Sequence, residues 1–340
     1  MIVAGLLLAI LGYVALWYFE ASRVRAEITR FLSARAQHGM TIHHEKLEIG
    51  GFPFRLEAGF GRMEIDGLPY AGAAHLDAPA FIARARPWNP GVWRFEAAQG
   101  FTIGRSIGTE AADSGTVLMA MAGDARGRAE AEFGDPGNLA ISVDCHDLSL
   151  HAASTQVTAS HASLHLTVPG KPPEDHTTPS LTFAIVVDRA VLPNDIEPQD
   201  GVLDRLSVNG VIEGPVPEQP LAAALATWRA EGGSVELRQV ALHWGAVDVK
   251  GDGTLTLDPK LQPEAAFSVH VRGWNALLED FVAAGTITAD QAKYDRLGLG
   301  LLTRTTDDGK TELRAPITLQ NQQLFLGPAK IANVALITWQ

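Results

Sequence analysis

The residues that could carry chemistry form two groups. Gly104-Arg105-Ser106-Ile107-Gly108 has the G-x-S-x-G spacing of a nucleophile elbow. That motif works only where a strand leads into it and a helix leaves it, because the strained turn is what exposes the serine. Phe101-Thr102-Ile103 can serve as the strand, but the residues from Thr109 onward carry no helical stripe. A glycine-bounded loop is therefore expected, with a serine hydrolase using Ser106 as a minor alternative. The second group is Asp144, Cys145, His146, Asp147, His151, His161 and His165, which has the composition of a metal cluster. On one strand His161 and His165 would lie about 13 Å apart, too far to share an ion. Pairing of His146 or His151 with His161 across strands is the remaining route. Histidines on a solvated face are the expected outcome, as they are for His43 and His44, whose rings point to opposite faces.

Other chemistries lack their residues. There is no phosphate loop, dinucleotide fingerprint, H-E-x-x-H, C-x-x-C or EF-hand loop. The acidic residues fall at strand edges and turns and give a paired-carboxylate hydrolase no support. Cys145 is the sole cysteine, so neither an internal disulfide nor a thiolate zinc site is available. Trp88, Trp93, Trp228, Trp244, Trp274 and Trp339 read as packing residues rather than sugar platforms. A net charge of −12 argues against nucleic acid or anionic lipid headgroups as surface partners. No metal, cofactor or catalytic residue is expected.

The elements that must hold these residues are mostly strands. Ala265, Phe267, Val269 and Val271 alternate with polar or small residues, as do Leu313, Ala315, Ile317 and Leu319. Such period-two patterns give one apolar and one polar face. Asp135-Pro136-Gly137, Asp252-Gly253 and Asp308-Gly309 are turn signals between runs. The fold class expected is mainly β: extended, twisted antiparallel sheet of hairpin and meander strands. Short helices are expected around Leu221, Leu225 and Trp228 and around Trp274, Leu277, Leu278, Phe281 and Val282. A capping box at Thr288-Ala289-Asp290-Gln291 opens a third. Three short helices cannot cover so many one-sided strands. Val143–Leu166 resembles Val235–Leu257, which suggests two modules, about 140–215 and 232–300, before a C-terminal β segment, 301–340.

Residues 2–19 carry no charge and end in Trp17-Tyr18-Phe19. That length is near the lower limit for a membrane span, and the rings suit the headgroup layer. A cleaved signal would need small residues that Leu16-Trp17-Tyr18-Phe19-Glu20-Ala21-Ser22 supplies poorly. The helical stripe also continues through Val24, Ile28, Phe31 and Leu32. Residues 1–38 are therefore read as an uncleaved anchor with a juxtamembrane helix, and 39–340 as the body. Arg23, Arg25, Arg30 and Arg35 follow the span, an order that by itself favours a cytoplasmic body.

Gly50-Gly51-Phe52-Pro53-Phe54-Arg55 interrupts the first strands. Glycines suit a bulge, and proline belongs at a strand start or edge. Period two would put Phe52 and Phe54 on one face and Arg55 on the other. The segment reads first as a device that resets register, and second as a lipid or partner contact.

The anchor followed by Gly51-Phe52-Pro53-Phe54-Arg55 resembles an alphaproteobacterial envelope family, domain of unknown function 2125. The run from Arg272 to Leu299 and the C-terminal run from Ala315 to Val334 also fit it. The last strands, with Leu324-Phe325-Leu326-Gly327-Pro328, resemble the end of AsmA-type envelope proteins. The resemblance implies single-pass anchoring in the inner membrane and a periplasmic body, and it carries no catalytic residues. The expectation is a non-enzymatic envelope protein whose sheet offers a groove to lipid acyl chains. Phe52, Pro53, Phe54, Trp274 and Phe281 are the expected lipid or partner contacts. The alternative is an assembly protein that recruits another envelope protein.

Overall fold

A computed structural model describes residues 2–37, 40–45, 47–67, 74–107, 116–131, 137–152, 155–193, 201–217, 219–283, 288–300, 302–305, 311–327, 329–334, 336–337 and 339. The chain opens with α1 (Ile2–Gln37), then β1 (Thr41–His44), β2 (Glu48–Gly50), β3 (Leu56–Asp66), β4 (Ala74–Arg86), β5 (Asn89–Ala97) and β6 (Phe101–Ile107). There follow β7 (Thr116–Ala122), β8 (Asp124–Ala131), β9 (Leu139–Ala152), β10 (Thr155–Val168), β11 (Pro179–Val191) and β12 (Val202–Glu213). After α2 (Leu221–Ala230) come β13 (Ser234–Trp244), β14 (Val247–Leu257) and β15 (Pro263–Arg272). The chain ends with α3 (Trp274–Ala283), α4 (Ala289–Gly300), β16 (Thr303–Thr305), β17 (Thr311–Gln320), β18 (Gln323–Leu326) and β19 (Ala329–Asn333).

Among the described residues all nineteen strands belong to one sheet, and every pairing is antiparallel between segments close in the chain. β5 and β6 together line the free edge of β4, and β7 and β8 together line β5 and β6. These pairs are single long strands bent in the middle. The result is a continuous meander from β3 to β19.

The bends fall in line. Gly100, between β5 and β6, has φ +72°, and a Cβ there would meet the Ala122 carbonyl oxygen at 1.8 Å, so only glycine fits. Asp147 in β9 (φ 50°) and Arg189 in β11 (φ 52°) are also left-handed. The pairings flanking Gly123 and Asp147, and those flanking Ser160 and Arg189, put these residues opposite one another across successive strands. A left-handed residue shifts the alternation, so Cys145 and Leu148, three apart, pack in the same apolar cluster.

Register carries one apolar face across the whole meander. Leu164 faces Ile185, Ile185 faces Val208, Val208 faces Val240 and, further on, Val269 faces Ala315. The opposite face carries Asp188 beside Arg205, Asn209 beside Gln239, and His270 beside Arg314. Helices cover only parts of this sheet. Trp17, Ala21 and Val24 of α1 bury Leu56, with Ile28, Ile49 and Trp93 packed around them. Trp274 and Leu278 of α3 bury Leu313. Between these ends Leu164, Ile185, Leu206, Val208, Leu237 and Val240 are only half-buried. The accessible surface of 20329 Å² exceeds the ~13,400 Å² of a compact monomer of this mass.

The expected helices form. In α2 Ala224 and Trp228 are buried. At α4 the Thr288 hydroxyl accepts from the Gln291 amide (3.2 Å) while the Thr288 amide donates to the Gln291 side chain (3.2 Å), the reciprocal pair of a capping box. The two similar segments are the hairpins β9–β10 and β13–β14, separated by β11 and β12 within the one sheet.

Candidate functional site

The site is the junction where the anchor meets the sheet. Tyr13, Trp17, Ala21, Val24 and Ile28 fall on one helical stripe, and the stripe begins inside the uncharged run. The Trp17 indole N–H donates to the Arg55 carbonyl at 2.9 Å, and the Tyr13 hydroxyl donates to the Pro53 carbonyl. The Arg55 amide donates back to the Gly51 carbonyl at 3.1 Å, closing a tight turn over 51–55. Gly51 has φ +93°, and a Cβ there would meet Arg55 Cγ at 2.6 Å, so the turn requires glycine. The Phe52–Pro53 peptide is cis.

This overturns the same-face expectation for Phe52 and Phe54. Residues 52–54 are a turn, not a strand, because two backbone carbonyls are held by α1 instead of by a neighbouring strand. Phe52 makes an edge contact with Trp17 (centroids 5.4 Å) and stacks on Tyr18 (6.2 Å). Both rings stay outside the core: Phe52 is 49% exposed and Phe54 73%. They adjoin a helix surface on which Leu6, Leu7, Leu8, Leu11 and Leu16 are also exposed.

From this junction an apolar track leads onto the sheet. A cleft of about 390 Å³ lies under α1, lined by Ile28, Phe31, Leu32, Ile42, Met63 and Phe81 among others. Phe60, Phe81 and Phe95 form a chain of rings 5.8 and 6.1 Å apart. Phe81 packs in turn on the cluster of Ala97, Ala122, Ala125 and Cys145. Burial pushes the Cys145 thiol up, which keeps it protonated and inert. Beyond lies the half-buried apolar face. Trp244 lies on that face by register with Val247, and its buried indole N–H has no partner among the described residues.

The other expected contacts lie elsewhere. Trp274 is buried (6% exposed) in the α3 cluster, and Phe281 belongs to the same helix. α3 follows β15, about ten strand spacings of ~4.8 Å from β3 along the sheet, so the structure does not bring Trp274 and Phe281 to the Phe52 turn.

The chemistry-bearing groups resolve as follows. Ser106 lies within β6, paired with Val117 of β7, the next described element, so the serine stands in a paired strand. Gly108 lies outside the described residues. His146 and His161 do pair across β9 and β10, with ring centroids 5.0 Å apart. Each is balanced by carboxylates: Asp124 at 3.4 Å from His146, and Asp188 at 3.1 Å and Asp144 at 3.5 Å from His161. No group of three or more metal-ligating side chains that could hold an ion occurs among the described residues. Similar pairs recur along the polar face, as His243 with Asp248 (2.6 Å) and His270 with Glu312 (2.8 Å). Glu312 also accepts from Arg272 and Arg314, and these bonds, led by that from His270, hold its carboxyl down at about 2.

α1 is the one helix among the described residues long and apolar enough to cross a bilayer. A family of uncharacterized proteins conserved in bacteria, DUF2125, matches residues 17–335. The chain belongs to DUF2125. The match spans the docking stripe of α1 from Trp17 onward, the 51–55 turn and the whole meander, so all of the junction except Tyr13 lies within the DUF2125 unit. No curated protein matches this DUF2125 member.

Sequence reasoning missed one feature of the junction. Beside Phe54 lies a pocket of about 330 Å³ walled by arginines. Its arginines are scattered in sequence and meet only through strand register. The pairs Arg84-x-Arg86 and Arg126-x-Arg128, each on one strand face, were the available signal.

Proposed function

We propose that this protein is a non-enzymatic, single-pass envelope protein whose sheet accepts lipid acyl chains delivered along the anchor. The observation that carries the reading is the apolar face between α1 and α3, continuous in register and only half-buried. Each CH₂ removed from water there contributes ~0.8 kcal/mol, so a modest stretch of trough suffices for a chain. The track from the exposed leucines of α1 through the cleft at Phe81 supports the membrane as the source. Phe52 and Phe54 serve as contacts with the acyl layer.

Retention of the anchor fits the packing, because cleavage after the apolar run would remove Trp17 from the cluster that buries Leu56. The anchor is placed in the inner membrane and the body in the periplasm, as the resemblance of the anchor and Gly51–Arg55 to an envelope family implies. The test is lipid extraction and mass spectrometry of the full chain purified in detergent. Wild type should carry phospholipid that Val208→Asp combined with Leu237→Asp loses, with the circular dichroism spectrum unchanged. Equal lipid in both would overturn the reading.

A further inference from the structure

In a chain of net charge −12, one pocket gathers Arg55, Arg84, Arg86, Arg94 and Arg126 around Phe54 and Glu96. Strand register sharpens the concentration. Arg84 of β4 stands directly opposite Arg94 of β5, and Arg94 stands directly opposite Arg128 of β8. Like charges facing one another across strands are destabilising unless something negative lies between them. The outer two have partners. Arg84 donates to Glu57 and to Glu96, both at 2.8 Å, and Arg128 donates to Glu130 at 2.5 Å. Among the described residues Arg126 has only distant contacts, 3.7 Å, with Glu96 and Asp124, and Arg55 likewise with Glu57. Arg94, in the middle of the row, and Arg86 beside it have no carboxylate partner among the described residues, and both are exposed.

The position of this cluster decides what anion it meets. Arg55 is the residue whose carbonyl Trp17 holds, at the end of the uncharged run of α1. Phe54, on the pocket wall, is 73% exposed beside a helix surface of exposed leucines. With α1 across a bilayer, Trp17 and Tyr18 occupy the interfacial layer, and the arginines face the phosphates of that layer. A guanidinium fork suits a phosphate's paired oxygens, and the volume is at the lower end of ligand-sized clefts. Phe54 then lies among the first methylenes of the same lipid.

We propose that Arg86 and Arg94, supported by Arg55, Arg84 and Arg126, form a site for the phosphate of a phospholipid headgroup, with Phe54 against its acyl chains. The proposal rests on α1 being a membrane anchor and is independent of acyl binding on the sheet face. The test uses the full chain in nanodiscs of phosphatidylcholine containing one-fifth phosphatidylglycerol, released into native mass spectrometry, for wild type, Arg86→Gln with Arg94→Gln, and Arg238→Gln. Arg238 is an exposed arginine paired with Glu236 on β13, far along the sheet. The double variant should retain phosphatidylglycerol at least ~10-fold less than wild type, while Arg238→Gln retains it normally. Inorganic phosphate should bind far more weakly than the lipid, and equal binding would mean a soluble anion site and overturn the lipid assignment. Unchanged retention by the double variant in a chain still held by the nanodisc would overturn the site and leave the anchor standing. A chain that does not stay with the nanodisc would instead remove the anchor on which the proposal rests.

Discussion

The two ends of the apolar face behave differently although their strands are made alike. At the anchor end, Leu56 of β3 is completely buried, because Trp17, Ala21 and Val24 lie across it. In the middle of the meander, Ile185, Val208 and Val240 have the same alternation, large apolar side chains and a neighbour on each side, yet stay half-buried. The difference lies in what lies on top. Strand pairing buries the sides of an apolar residue, and only a second layer buries its tip. The middle of the sheet has the chemistry of a core without the second layer.

Breaking the cover should therefore cost more than trimming what it leaves open. Trp17→Ala removes a buried indole, its bond to Arg55 and its contact with Phe52, and should cost ~3–5 kcal/mol in denaturant unfolding of the detergent-solubilised chain. Leu56→Ala should cost ~2–5 kcal/mol, whereas Ile185→Ala should cost only ~1 kcal/mol. Equal losses at positions 56 and 185 would mean that the middle face is covered and would end the comparison. Glu312→Gln tests the polar face. The carboxyl of Glu312 is depressed to about 2 by His270, Arg314 and Arg272, so its contribution is fully present above the ordinary carboxylate range and is lost as pH falls toward 2. Wild type should exceed the variant by ~1–3 kcal/mol at pH 7, and the gap should close between about pH 4.5 and 2. The smallest effect is expected at the capping box: Thr288→Ala should cost ~1 kcal/mol or less, read as lost protection of the first α4 amides in hydrogen exchange.

Much of this architecture was legible because it is local. Period-two runs such as Ala265–Val271 became β15, the Thr288–Gln291 box capped α4, and the uncharged run became the first half of α1. What escaped depends on partners distant in sequence. The Phe52-Pro53-Phe54 segment has strand-like alternation, yet it folds as a turn because Tyr13 and Trp17, some forty residues earlier, hold the carbonyls of Pro53 and Arg55. Asp147 and Arg189 gave no glycine signal for their left-handed backbones. The arginine row is readable only once β4, β5 and β8 are in register.

The central claim is that the middle of the apolar face is open to acyl chains. It is tested most directly by photo-crosslinking in native membranes, with a benzophenone side chain replacing Val208 in one variant and Asn209 in another. Val208 belongs to the apolar face, and Asn209 bonds Gln239 on the polar face. The account predicts a phospholipid adduct at 208 and none at 209. Adducts at neither position, or at both equally, would contradict it.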